Sequence, residues 1–149
     1  MIIKRILRKI INYHKSSIWR KTITLYPPKK LYPSKKYEGN ILLSYLTAPF
    51  YKKEDDKVFE THTNHWECMQ IAKIFLNLGY VVDVIHFSNK EFIPKKKYKV
   101  FIDIHSNMER ISPYINKDCI KVLHITAAHW LFQNKSEYNR LSSLQKRRK

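Results

Sequence analysis

Leu76-Asn77-Leu78-Gly79-Tyr80-Val81-Val82-Asp83-Val84-Ile85 holds a helix end, a glycine stop and the start of an apolar strand within ten residues. Upstream, Cys68, Ile71, Ala72, Phe75 and Leu76 fall at i, i+3, i+4, i+7 and i+8, one buried helical face. Asn64 is the expected N-cap, with Glu67 three residues on to close a capping box. Gly79 is the expected stop, since glycine takes the left-handed turn that ends helices. Before this helix runs Ile41–Leu46 and after it Val81–Phe87, both nearly continuous in apolar residues. Such runs predict strands covered on both faces. Strand, helix and strand make a βαβ unit with a right-handed parallel crossover.

Working outward, Val100–His105 and Ile120–Thr126 read as two further strands of the same kind. A short helix from about Asn107 to Ile115 is predicted between them. A last helix from about Ser136 is expected to turn Tyr138, Leu141 and Leu144 inward. The predicted fold class is α/β: a Rossmann-like, mostly parallel sheet of about four strands with flanking helices, plus a basic amphipathic N-terminal helix.

The charge supports a division of the chain. Of 149 residues, 29 are Lys or Arg and 12 are Asp or Glu, a net +17. Residues 1–38 carry 11 basic residues and one acid, and residues 135–149 carry six and one. Residues 39–134, with 12 basic and ten acidic side chains, are nearly balanced. The expected domains are therefore a tail over 1–38 and a Rossmann-like domain over 39–149. An apolar content of 44% is too high for a disordered polyelectrolyte.

Within the tail, Ile2, Ile3, Ile6, Leu7 and Ile10 alternate with Lys4, Arg5, Arg8 and Lys9. At about 100° per residue this predicts an apolar stripe with a cationic flank. Two readings stand side by side: contact with an anionic membrane surface through Ile2–Ile10, or packing against another part of the protein. A transit peptide is a third, disfavoured by the Lys- and Ile-rich composition. Residues 26–37 hold three prolines and read as a semi-rigid linker. Ile41–Phe50, the longest nearly apolar stretch, is far short of the ~20 residues that span a bilayer. With Cys68 and Cys119 the only cysteines, a reduced, cytoplasmic setting is expected, peripheral on the inner membrane face if the tail binds lipid.

Ligands of open parallel sheets bind beyond the carboxyl ends of the strands. That rule selects Ser44 and Thr47, His86 and Ser88, Asp103 and His105, and His124, Thr126 and His129. Individually, His124 also fits a neutral core histidine, and Asp103 a cap on a neighbouring helix. His62 and His65, and His124 and His129, match no zinc spacing, so no metal is expected. No Gly lies between the first strand and the Asn64 helix, which excludes a dinucleotide loop there. Phosphate-loop and nucleophile-elbow motifs are likewise missing from the sequence.

Asn40-Ile41-Leu42-Leu43-Ser44-Tyr45, the His62-Thr63-Asn64-His65-Trp66-Glu67 helix start and Leu78-Gly79-Tyr80 with Val82 and Val84 resemble the N-terminal domain of bacterial two-Rossmann-domain (GT-B type) glycosyltransferases. Phe101–His105 and His124–Trp130 are similar to that family's third and fourth strands, and the likeness spans about residues 39–148. The family's paired-glutamate donor signature has no match, since Glu60 and Glu67 have six residues between them rather than seven. The resemblance thus implies the acceptor-side half of a transferase, from a truncated gene or a split enzyme, inactive alone. It implies Thr47, His62, Asp103, His105 and His129 along an acceptor crevice, with Asp103, His105 and His129 as catalytic candidates. It further implies a nucleotide sugar as donor, a glycan or lipid-linked acceptor, no cofactor held by this chain, and a C-terminal donor domain or second subunit as partner. A basic nucleic-acid-binding module ranks below this, because the charge lies on the ends rather than on the folded segment. A peripheral membrane adaptor is the remaining alternative.

Overall fold

A computed structural model describes residues 20–33, 36–53, 56–57, 59, 63–126 and 130–148. The expectations for the tail helix, Ile2–Ile10, and for His62 and His129 fall outside these residues. Five strands form one sheet: β1 (Ile23–Leu25), β2 (Gly39–Tyr45), β3 (Tyr80–His86), β4 (Val100–Asp103) and β5 (Ile120–Leu123). Among the described residues three α-helices accompany them: α1 (Thr63–Asn77), α2 (Asn107–Ile111) and α3 (Trp130–Arg147), with 3-10 turns at Ala48–Tyr51 and Ser112–Tyr114.

The strand order is β1-β3-β2-β4-β5, and β2 through β5 run parallel as expected. The sheet is nevertheless mixed. β1 pairs antiparallel to β3, with Ile23 opposite Val84 and Leu25 opposite Val82. Three residues beside Lys21 and Pro27 carry too short a pattern to announce a strand; β3's open edge supplies the pairing. The proline-rich run after it links β1 to β2.

Alternation divides the core. Ile41, Leu43, Tyr45, Val82, Val84 and Ile102 pack with Cys68 and Ala72 under α1. Leu42, Ile85 and Phe101 face the other way, against Tyr98, Ile111, Ile115 and Cys119. β2 and β3 are thus covered on both faces, which explains their unbroken apolar sequences. α1 ends as predicted: Gly79 has φ +89°, and its N–H donates to the Leu76 carbonyl at 3.1 Å.

Asn64 lies inside α1 rather than at its N-cap, and Glu67 closes no capping box. Its carboxylate is drawn instead to side chains at the strand ends, described below. The short helix after β4 is α2 followed by the 3-10 turn Ser112–Tyr114, because Pro113 cannot supply the N–H that would continue an α-helix.

The C-terminal quarter departs most from expectation. β5 is exposed along its length, with Ile120 at 63% and Leu123 at 53%. α3 begins at Trp130, six residues before the expected start, and Tyr138, Leu141 and Leu144 face solvent rather than the core. Their pattern would bury them only against a neighbour, and no element among the described residues covers them.

Candidate active site at the carboxyl edge

The carboxyl ends of the parallel strands bring some selected residues together and separate others. The separation follows from strand parity. Asp103 and Ser44 alternate with Ile102 and Leu43, so they face α2. Tyr45 and His124 share parity with Leu43 and Val122 and face α1.

On the α2 side the polar groups bond one another. Asn107 Nδ2 donates to Ser44 Oγ at 3.0 Å and to the Phe87 carbonyl at 2.9 Å. Arg110 donates to Asn107 Oδ1 and to the carbonyls of Phe92 and Asn89. Asp103, wholly buried, accepts the Met108 N–H at 2.7 Å through Oδ2, so one oxygen caps the first turn of α2. Its Oδ1 is buried without a partner. Thr47 is buried at the start of the Ala48–Tyr51 turn, and its carbonyl accepts the Phe50 N–H at 3.2 Å. His105 is exposed beside Phe87, ring centroids 5.9 Å apart. His86 is buried; Ser88 N–H donates to Nδ1 at 3.2 Å, which leaves the ring proton on Nε2. Burial also holds the His86 pKa below its ordinary value, favouring the neutral ring.

On the α1 side lies a cluster that combines three elements. Tyr45, the last residue of β2, donates its hydroxyl to Glu67 Oε2. His124, the residue after β5, places Nε2 3.0 Å from Glu67 Oε1, out of line for a hydrogen bond. The Tyr45 and His124 rings stand 6.2 Å apart. The Tyr45 hydroxyl, and secondarily the His124 ring, hold the Glu67 carboxyl below its usual range, so it is ionised at neutral pH. Burial, reinforced by Glu67, pushes the Tyr45 phenol upward, so it stays a donor. The neighbouring Cys68 thiol is buried and pushed up to about 12, too protonated for a nucleophile.

Beside this cluster an apolar hollow of about 280 Å³ runs between α1 and the sheet, lined by Ile71, Ile74, Phe75, Ile102 and Val122. Glu67 and His124 complete its lining. Both side chains are about one-third exposed, so a ligand in the hollow can reach them. The arrangement offers an ionised carboxylate backing an imidazole, next to an apolar wall. Chemically, it can accept hydrogen bonds from hydroxyl groups and take a proton from one of them.

The pattern of residue types alone selected His124 but missed Tyr45 and Glu67. Tyr45 sat inside an apolar run, and Glu67 carried the signature of a capping box. The available signal was geometric: a helix crossing back over β2 brings its first turns to the carboxyl ends of the strands. Among the described residues, no group of three or more His, Cys, Asp or Glu is placed to hold a metal ion.

Comparison with protein-family models, with curated proteins and with solved structures finds no match in any of the three. The class defined so far is an α/β protein with a five-stranded mixed sheet and an open edge. No helix among the described residues is long and apolar enough to cross a membrane.

Proposed function

We propose that this chain is the acceptor-side half of a glycosyltransferase, binding the hydroxyl-bearing acceptor of a sugar transferred from a nucleotide-sugar donor. The observation that carries the reading is the Tyr45–Glu67–His124 cluster beside an apolar hollow at the carboxyl edge of a parallel sheet. Carbohydrates present hydroxyl edges and apolar ring faces, and this site meets both. His124, backed by ionised Glu67, is positioned to accept an acceptor hydroxyl proton as that oxygen attacks the anomeric carbon. His105 lies exposed at the same end of the sheet and contributes rim contacts. The donor phosphates fall to a C-terminal domain or second subunit, so the chain alone transfers no sugar. An anionic membrane surface met by Ile2–Ile10 would place the half-enzyme on the inner face beside lipid-linked acceptors.

Saturation-transfer NMR with methyl glycosides of glucose, galactose, N-acetylglucosamine and N-acetylgalactosamine tests the reading. At least one should show weak binding that falls fivefold or more in Glu67→Gln and His124→Ala while Lys95→Ala leaves it intact. Absence of binding to all four, or binding indifferent to Glu67 and His124, would overturn it. Affinity instead for RNA, falling steeply with added salt, would favour the nucleic-acid alternative.

A further inference from the structure

A second cavity lies across the sheet from the α1 hollow. Asp83 alternates with Val82 and Val84, which face α1, so it faces the α2 side, and Thr24 of β1 stands opposite it in the ladder. There the sheet edge and residues 91–98 bound an open cavity of about 510 Å³, a size typical of small-molecule sites. Every residue of its lining is among those described.

The wall of this cavity is fixed from outside it. Buried Asn89 accepts the Glu91 N–H at 3.0 Å and the Phe92 N–H at 3.1 Å through Oδ1. Arg110 donates to the Phe92 carbonyl at 2.7 Å. At the far end, Asn116 accepts the Tyr98 N–H and donates to the Tyr98 carbonyl, both at 2.8 Å. Such support is what a preformed binding site requires.

The charges select the ligand. At the floor, Asp83 is 1% exposed and accepts from Tyr98, Thr24 and Lys96, so its oxygens are already served. Lys96 Nζ lies 2.8 Å from Oδ2 and 3.1 Å from Oδ1. An ammonium has three N–H donors and the two carboxylate oxygens take two, so one is left over on a group that Asp83 holds in place. Glu91 is matched by Arg20 at 3.1 Å. With both acids matched, exposed Lys95 leaves the lining with an excess of positive charge. Phe92 and Ile93 add an apolar wall.

We propose that this cavity binds a small organic oxyanion, a carboxylate or phosphate monoester on a compact apolar body. The head group meets the Lys95 and Lys96 ammoniums, and the body lies against Phe92 and Ile93. The field of a chain carrying +17 draws such anions in. The site is separated by the sheet from Glu67 and His124, so it stands apart from the sugar-binding reading and either can fail without the other.

Amide NMR titration of the full chain reads both affinity and place. Phenyl phosphate and 3-phenylpropionate are the probes; inorganic phosphate lacks the body, and 2-phenylethylamine reverses the charge. At least one anionic probe should bind with a dissociation constant of about 1 mM or tighter, shifting the amides of Thr22, Thr24 and residues 91–96. The tighter of the two names the head group. Lys95→Glu should weaken it about fivefold or more, while Lys135→Glu, the same charge change on exposed α3, should alter it by less than about twofold. Ile93→Ser, at an exposed wall position, should weaken it about threefold. No shift with either anion overturns the proposal. So does inorganic phosphate binding as tightly as the better probe, the sign of loose counter-ion pairing. Tighter binding of 2-phenylethylamine overturns it too, since Asp83 would then be the recognition group. So does an equal response to Lys95→Glu and Lys135→Glu, which would assign the binding to net charge alone.

Discussion

β2 and β5 have similar apolar compositions and opposite fates. Ile41, Leu42 and Leu43 of β2 are wholly buried, whereas Ile120, Val122 and Leu123 of β5 are 63%, 41% and 53% exposed. Both belong to the same parallel sheet, and both runs predict a strand covered on two faces. The difference lies in neighbours: β2 has β3 and β4 beside it, α1 above and the Tyr98–Phe101 cluster below. β5 has only β4 beside it, and among the described residues no helix packs closely over it, the hollow separating Val122 from α1. Hydrophobic pattern specifies which residues seek cover, not whether cover arrives.

The sharpest test of that contrast is truncation of matched side chains. Leu43→Ala should cost about 3 kcal/mol of unfolding free energy in urea, from lost burial and the cavity left behind. Leu123→Ala should cost less than about 0.5 kcal/mol. Comparable losses at both positions would mean that β5 is covered and the contrast is mistaken.

The buried half also carries the only wholly enclosed acidic side chain on β3. Asp83 accepts from Tyr98 at 2.6 Å, from Thr24 at 2.7 Å and from Lys96 at 2.8 Å, which ties β1 and the Lys96–Tyr98 segment to β3. Replacing it with Ala strands the buried Tyr98 hydroxyl, while the exposed Thr24 hydroxyl turns to water, and should lower stability by about 2 kcal/mol. Lys96 is 40% exposed and returns to solvent, so its share of the loss is small. Amide exchange across Ile23–Leu25 should quicken with it, since the Thr24 contact helps hold β1.

Gly79 comes next in expected size. A Cβ there would stand 2.7 Å from the Tyr32 ring, at a φ of +89°. Gly79→Ala should cost about 1–2 kcal/mol in the same urea titration. Tyr32→Ala in the Gly79→Ala background removes the clash but not the backbone term, so it should recover only part of the loss.

Much of the buried half is legible in the sequence. The α1 stripe, the Gly79 stop and the parallel order of β2 to β5 follow from local periodicity and the handedness of crossovers. β1 was not, because Ile23–Leu25 owes its conformation to β3's edge rather than to its own three residues. The site was half legible. Strand ends point to His124 and Asp103, but the parity that sends them to opposite faces depends on where each strand stops. Glu67 was misassigned because a carboxylate at that spacing serves a helix N-terminus equally well. Its partner Tyr45 lies 22 residues away in sequence, a pairing that only the crossover creates.

The smallest expected effect discriminates between the two partners of Glu67. Its folded-state pKa lies below the ordinary value, so the ionised form contributes stability above about pH 4.5 that is lost as pH falls through the folded value. The carboxylate is about one-third exposed, so solvent screening holds this to a fraction of a kcal/mol. Between pH 5 and pH 3 the urea midpoint should therefore fall slightly more steeply in the unsubstituted chain than in Glu67→Gln. A direct NMR titration of the Glu67 carboxyl carbon is more sensitive. Tyr45→Phe removes the larger cause and should raise the Glu67 pKa toward its free value; His124→Ala should raise it less. The reverse order would make the imidazole the main support of the carboxylate, and the cluster would then be an ion pair across the open β5 edge rather than an extension of the buried β2 core.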